Sequence, residues 1–268
     1  MSLITLNEDK CIKCGMCVVE CPVGVLKMSK NGPEEVNAKS CVACGHCVAI
    51  CPKEAIDNEK SPLAKQINLK NSPKLNAEEA ENFMRSRRSI RVFKETEVPR
   101  EKLIKLADIA RFAPTASNLQ GISFMIIDDK EAIRLAAETS ADWLEKHPVY
   151  GQMFGGMLKG LKETGVDNIL RSAPSIILTI ADKNFPFGRE NSTLSLSYLE
   201  LFAPSLGLGS CWAGVFECCA LSDESPILEV FKVPEGKKIT GVVMVGYPKH
   251  SFNKLTDRNA LDVTFYEK

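Results

Sequence analysis

The stretch CIKCGMCVVECP (11–22) recurs as CVACGHCVAICP (41–52), and the two copies use eight of the chain's eleven cysteines. Each copy reads C-x2-C-x2-C-x3-C-P. The likeness extends beyond the cysteines at a constant offset of 30 residues: Gly15 aligns with Gly45, Val18 with Val48 and Leu26 with Ile56. Three thiolates at such short intervals can wrap one iron–sulfur cubane only if the backbone turns tightly, and Gly15 and Gly45 relieve that turn. The fourth cysteine of each copy opens a helix that points away, so it reaches the other cluster. Two 4Fe-4S clusters follow, one on Cys11, Cys14, Cys17 and Cys51 and the other on Cys41, Cys44, Cys47 and Cys21. Pro22 and Pro52 lack an N–H and let the chain turn away after the ligand. So short a segment has little core of its own. Ile4, Leu6, Ile12, Val18, Val25, Val42, Val48, Ile50 and Ile56 are therefore expected to pack on the clusters and keep water away.

Two other uses of the cysteines are weaker. Zinc needs four sulfurs per site but gives no reason for the third and fourth cysteine and the proline. Disulfides are disfavoured because Met1 to Lys10 is short, mixed and acidic-tipped, unlike a signal peptide. His46 lies between two ligands and reads as a surface residue that tunes potential modestly. The run resembles bacterial two-cluster ferredoxins, and the chain is expected to carry electrons.

At 268 residues the chain is comfortable as two domains. The cluster domain is expected over 1–58. Residues 59–76 (EKSPLAKQINLKNSPKLN) are polar, carry Pro62 and Pro73, show no apolar period and read as a linker. The second domain, 77–268, is long enough for one hydrophobic core. The formal net charge is zero and no basic stripe emerges, so no nucleic-acid partner is expected. No apolar run approaches the roughly 18 residues that span a bilayer, so no membrane partner is expected either. Oxygen-sensitive clusters beside free thiols point to a reducing, anaerobic, cytoplasmic setting.

Along the second domain, Asn76 with Glu79 predicts a capping box opening a helix to about Arg87. Arg85 to Arg91 (RSRRSIR) is a dense cationic cluster at its exit. Pro99 is expected at the first position of a helix carrying Leu103, Leu106, Ala107 and Ala110 at the 3.6 period. Strands are expected over 122–127, 175–180, 210–215 and 239–246, with helices over 130–146, about 191–205 and 227–231. Helices and strands mix without strict alternation, which favours an α+β fold over a doubly wound sheet. Gly207-Leu208-Gly209 does not make a dinucleotide fingerprint, because Trp212 stands where the third glycine belongs and a helix precedes the run.

Four stretches, RRSIRVF (87–93), APTASNLQ (113–120), LGLGSCWAG (206–214) and GYPKHSFNKLTDR (246–258), taken in this order resemble the FMN-dependent nitroreductase family. The whole chain resembles its ferredoxin–nitroreductase fusions. The resemblance implies a homodimer with two FMN sites at the subunit interface, fed by the cluster domain. It implies that Arg87, Arg88 and Ser89 hold FMN phosphate and ribityl oxygens, joined by Arg258. Arginine forks suit a phosphate dianion better than lysine does. It places Arg91 near the pyrimidine edge of the flavin, where a cation stabilises the reduced ring. Pro114, Thr115, Ala116 and Asn118 would come from the partner subunit, and Trp212, Ala213 and Gly214 would pass the ring's N5 edge.

The same resemblance implies a flavin oxidoreductase reducing a small organic acceptor such as a nitroaromatic or quinone, with no catalytic side chain. The electron donor would be a ferredoxin or NAD(P)H. The alternatives are an NAD(P)H-reduced flavoenzyme that uses its clusters as an exit, and an electron relay or redox sensor. Gln120-Gly121 stand where many relatives carry a proline and a bulky aromatic, which would leave the flavin's outer face open. Cys211, Cys218 and Cys219 read as small buried residues. Trp143, His147 and Tyr150 lie in a helical stretch that reads either as lid or as core. Residues 260–266 alternate apolar and polar and are expected to form a terminal strand that joins the partner's sheet.

Overall fold

The computed structural model describes residues 2–267. The chain divides into two compact units. One runs to Lys74 and takes in Ala116–Leu119; the other comprises Leu75–Thr115 and the chain from Gln120 onward.

The first unit is built twice over. In it β1 (Ile4–Leu6) pairs antiparallel with β4 (Ile56–Asn58), and β2 (Leu26–Met28) with β3 (Pro33–Glu35). Helices α1 (Met16–Val19) and α2 (His46–Ala49) repeat at the same offset as the cysteines. Each starts after a left-handed glycine, Gly15 at φ 77° and Gly45 at φ 72°, a conformation that a side chain disfavours. Lys13 and Ala43 also take positive φ, 56° and 55°, between the first two cysteines of each run. Leu3, Ile4, Val25, Leu26 and Ile56 form the small core with Cys17. Val48 is buried as well, Ile12 lines the cavity of the first cysteine group, and Ile50 is exposed. Residues 59–76, expected as a linker, have local structure of their own. They carry two 3-10 turns, Leu63–Lys65 and Leu69–Asn71, and Asp57 Oδ1 accepts the Leu63 N–H at 2.7 Å. Short-range hydrogen bonding from side chain to backbone replaces the apolar period that was absent from the sequence.

The second unit surrounds a four-stranded antiparallel sheet ordered β5–β6–β8–β7. Before it come α3 (Ala77–Ser86) and α4 (Arg100–Ala110). The capping box forms on α3, with Asn76 Oδ1 accepting the Glu79 N–H and Glu79 Oε2 accepting the Asn76 N–H, each at 2.9 Å. Pro99 caps α4 from outside rather than standing inside it. Then follow β5 (Ile122–Ile127), α5 (Lys130–Lys146), α6 (Tyr150–Thr164), β6 (Ser175–Asp182) and α7 (Gly188–Phe202). The chain continues through β7 (Gly209–Trp212), α8 (Gly214–Ala220), α9 (Ile227–Val230) and β8 (Lys237–Gly246). This is the α+β mixture that the sequence predicts.

The period of two in β6 and β8 divides the core. Ile176, Leu178, Ile180, Val242 and Met244 face a cluster that includes residues of α5, α8 and α9. Ile177, Val243 and Val245 face another that includes Leu103, Leu106 and Ala110 of α4 and Leu196 and Leu199 of α7. A sheet covered on both faces explains the continuous apolar run of β6. Among the described residues, no helix is long and apolar enough to cross a membrane.

Of the two readings open for Trp143, His147 and Tyr150, the structure supports core packing. Trp143, Tyr150 and Phe154 pack against the first core cluster, and His147 stacks between Trp143 and Tyr150 at ring distances of 5.1 and 4.4 Å. This aromatic file is core packing. The tail over 260–266, expected to pair with a partner's sheet, is exposed throughout in the single chain. A strand needs a neighbour for its backbone groups, and the described residues of one chain supply none there.

Candidate functional site

In the first unit the cysteines converge in two groups across the repeat. Cys11, Cys14, Cys17 and Cys51 line one small cavity. Cys21, Cys41, Cys44 and Cys47 line the other. The exchange of the fourth cysteine is the grouping expected from the spacing. Val25 N–H donates to Cys21 Sγ at 3.3 Å and Ala55 N–H to Cys51 Sγ at 3.2 Å, so each exchanged sulfur has the same backbone donor. Burial, followed by the nearby Cys51 and Cys14 thiols, pushes Cys17 up to about 11. Burial also raises Cys47, partly offset by a hydrogen bond from Asn58. Four sulfurs crowded in an apolar cavity suit a positively charged inorganic core, whose binding releases the thiol protons. Among the described residues, no three His, Cys, Asp or Glu side chains are arranged to hold a single metal ion.

The second unit assembles the arginine stretch beside the sheet's β7 edge. Ser89 bridges Ser210 of β7 in parallel, and Ile90 N–H donates to Ser210 O at 2.8 Å. Gly209 permits this approach: a Cβ there would collide with the Ile90 side chain. Arg87 Nη1 lies 3.5 Å from Ser89 Oγ and 3.9 Å from Glu200 Oε1. Glu200 is buried in α7, and Ser210 Oγ donates to it at 3.3 Å. Burial raises its carboxyl above the usual range, against the opposing pull of Arg87 and Ser210. This acid beside the expected phosphate arginine was not foreseen.

Arg88 spends its fork on backbone, Nη1 on Arg85 O at 3.1 Å and Nη2 on Lys254 O at 3.0 Å, while its ring-proximal neighbour Phe252 sits 5.8 Å away. Its Nε is buried without a partner among the described residues. An orphaned guanidinium N–H beside Arg87 and Ser89 fits an anionic ligand. Arg91 is exposed and close enough to Cys211 to oppose the upward shift that burial gives that thiol. Arg258 is exposed, and its backbone N–H donates to Asp257 Oδ1 at 2.9 Å.

The loop residues separate. Thr115 Oγ1 accepts the Gln120 N–H at 3.0 Å. Ala116 and Asn118 group with the first unit, where Asn118 Nδ2 donates to Val42 O at 2.8 Å. Pro114 and Thr115 belong to the second.

Trp212, Ala213 and Gly214 stay together at the start of α8. The Ala213 N–H is committed to Val242 O at 3.0 Å. Gly214, the first residue of α8, has no carbonyl four residues back within that helix. Glu217, which the sequence reading passed over, holds this corner. Its carboxylate accepts Trp212 Nε1 at 2.7 Å, Val242 N–H at 2.8 Å and both Arg189 Nη atoms at 3.1 and 2.9 Å. Arg189 also lies over the Trp212 ring at 5.1 Å.

Residues 84–247 match the nitroreductase family, a span of more than half the chain. The chain belongs to the nitroreductase family. Residues 3–52 match a 4Fe-4S dicluster domain, so the nitroreductase domain follows an iron–sulfur module. An iodotyrosine deiodinase of Thermotoga neapolitana is 28% identical over 173 residues, covering 62% of this chain and 87% of that protein. An FMN-dependent nitroreductase of Clostridium difficile has a similar structure, with a TM-score of 0.51 and 28% identity over 70% of this chain and 99% of its own. An FMN-bound nitroreductase of Bacteroides fragilis shares the fold at a TM-score of 0.60 and 19% identity, covering 72% and 100%. Nearly the full length of these relatives is covered by about 60–70% of this chain.

Proposed function

We propose that this nitroreductase takes electrons in at two 4Fe-4S clusters, passes them to FMN and delivers them to a small organic acceptor such as a nitroaromatic or quinone. The observation that carries the reading is the presence, in one chain, of two four-cysteine cavities and a nitroreductase domain with an arginine-rich corner. When bound, FMN supplies the exchange between one-electron and two-electron transfer. The chain's own residues bind, orient and shield.

In this reading Cys11, Cys14, Cys17 and Cys51 hold one cluster, and Cys21, Cys41, Cys44 and Cys47 the other. Arg87 and the free Nε of Arg88 meet the FMN phosphate with Ser89, and Arg258 closes on it from the tail. Arg91 sets the charge beside the flavin ring. Gly214 offers its N–H at the ring edge, since that of Ala213 is taken, and Glu217 keeps Trp212 in place. A second copy of the chain supplies Pro114, Thr115, Ala116 and Asn118, so the working form is a homodimer.

Anaerobic stopped-flow tests the route. Mixing the oxidised protein with reduced ferredoxin should reduce the clusters and then FMN within turnover time, and an acceptor should then reoxidise FMN. FMN reduced by NAD(P)H before the clusters would reverse the order and favour the exit reading. Reduction by either donor with no acceptor able to reoxidise the flavin would favour a relay.

A further inference from the structure

Every position at one cysteine site has a counterpart 30 residues away at the other, and β2 and β4 end differently: Met28 stands where the second half has Asn58. Asn58 is 3% exposed and lines the cavity of Cys21, Cys41, Cys44 and Cys47. Its Nδ2 lies 3.9 Å from Cys41 Sγ and 3.8 Å from Cys47 Sγ. The amide's orientation is determined by its other end: Oδ1 accepts the Lys60 N–H at 2.9 Å, which turns the donor group toward the sulfurs. The backbone is held too, with Asn58 N–H donating to Asp57 Oδ1 at 2.7 Å. Across the repeat, Met28 packs toward Gly15, its Cγ 3.9 Å from where a Cβ would stand. A thioether has no N–H to give.

We propose that Asn58 is a redox-tuning residue that holds the cluster of Cys21, Cys41, Cys44 and Cys47 at a higher reduction potential than the other cluster. The first electron to enter the module therefore resides there. The proposal rests on the two-cluster reading above. One electron arrives from a one-electron donor such as a reduced iron–sulfur protein; no bond breaks and no proton moves. The added negative charge falls partly on the ligand sulfurs, and N–H donors to those sulfurs strengthen as it grows, which stabilises the reduced form.

The backbone donors from Val25 and Ala55 are matched between the sites and cancel in the difference. Lys13 and Lys53 line the first cavity and pull the other way, but both are exposed and screened by solvent. Lys60 Nζ, on Cys41 O at 3.1 Å, works in the same direction as Asn58. His46 lines the second cavity and is exposed.

The test uses the full chain purified without oxygen, with iron and sulfide counted, titrated at pH 8.5 and followed by the EPR of the reduced clusters. The parent should show two separate one-electron steps. Asn58→Met, which installs the first site's residue, should lower the upper step by a tenfold change in its reduced-to-oxidised ratio, about 59 mV for one electron, and leave the lower step in place. Asn58→Asp keeps the volume and the acceptor for Lys60 but removes the donor, and should lower the same step. Variants with full iron and unmoved midpoints would overturn the proposal. Loss of iron in both would also overturn it, since Asn58 would then be a structural anchor. Parent protein lacking iron and sulfide would instead defeat the cluster reading itself.

Discussion

Glu217 accepts hydrogen bonds from Trp212, Val242 and Arg189 from a site only 7% exposed. Removing the carboxylate strands an indole N–H, a backbone N–H and a guanidinium together. Glu217→Ala should cost about 1–3 kcal/mol, the range for leaving a buried donor unsatisfied, since Arg189 is half exposed and keeps Thr240 O. Urea unfolding followed by tryptophan fluorescence measures it, and a loss below about 1 kcal/mol would show that water replaces the carboxylate. Glu200 gives a pH signature at the same scale. Burial holds its carboxyl above the ordinary 4.5, so the folded state keeps that proton longer than the unfolded chain does. Its contribution to stability therefore falls as pH rises from the ordinary value through the raised one. Glu200→Gln should flatten the pH dependence of the unfolding midpoint across that window, and an unchanged slope would remove Glu200 from the account. Neither acid was legible in the sequence, because a lone glutamate within an amphipathic helix looks like a solvated one. The cysteines were legible because their spacing repeats; Asn58 escaped notice because its role depends on which amide end Lys60 occupies.

At the scale of elements, β7 carries the arginine stretch only because Gly209 has no side chain. Gly209→Ala would set a Cβ in collision with the Ile90 side chain and 3.0 Å from Pro248 Cγ, and so force the 89–93 segment off the strand. An overpacking cost of about 1–3 kcal/mol is expected, together with weaker FMN retention as Arg87 and Ser89 shift. Equilibrium dialysis with FMN reads the second effect, and retention equal to the parent's would detach the segment from the flavin. Strands β5, β6 and β8 and helices α3 and α5 could be read from their periods and caps. Helix α6 was harder to bound, since Gly151, Gly155, Gly156 and Gly160 lower its intrinsic propensity. Tertiary packing of Leu158 into the core offsets that deficit. The supposed linker shows the reverse case: 3-10 turns held by side-chain acceptors leave no hydrophobic period to read.

For the whole molecule, the duplicated cysteine run sets a composition that can be counted. Anaerobic preparations should contain about eight irons and eight sulfides per chain, as two cubanes require. Stoichiometric zinc without sulfide would refute the cluster reading. The tail raises the question of assembly. Leu261, Val263, Phe265 and Tyr266 are 86%, 60%, 79% and 87% exposed in the single chain. A segment that alternates apolar and polar residues in this way is costly to leave in water and prone to recruit a neighbouring edge. A second copy of the chain offers such an edge, and the same copy is the proposed source of the 114–118 loop at the flavin. Dimerisation and FMN retention are then one equilibrium, linked by mass action. Removing the chain from residue 260 onward should weaken the dimer and release FMN together, seen as a lower mass by light scattering and a lost flavin absorbance in the same peak. A truncated monomer that keeps its full flavin would separate the tail from the site and place the whole FMN contact set within one chain.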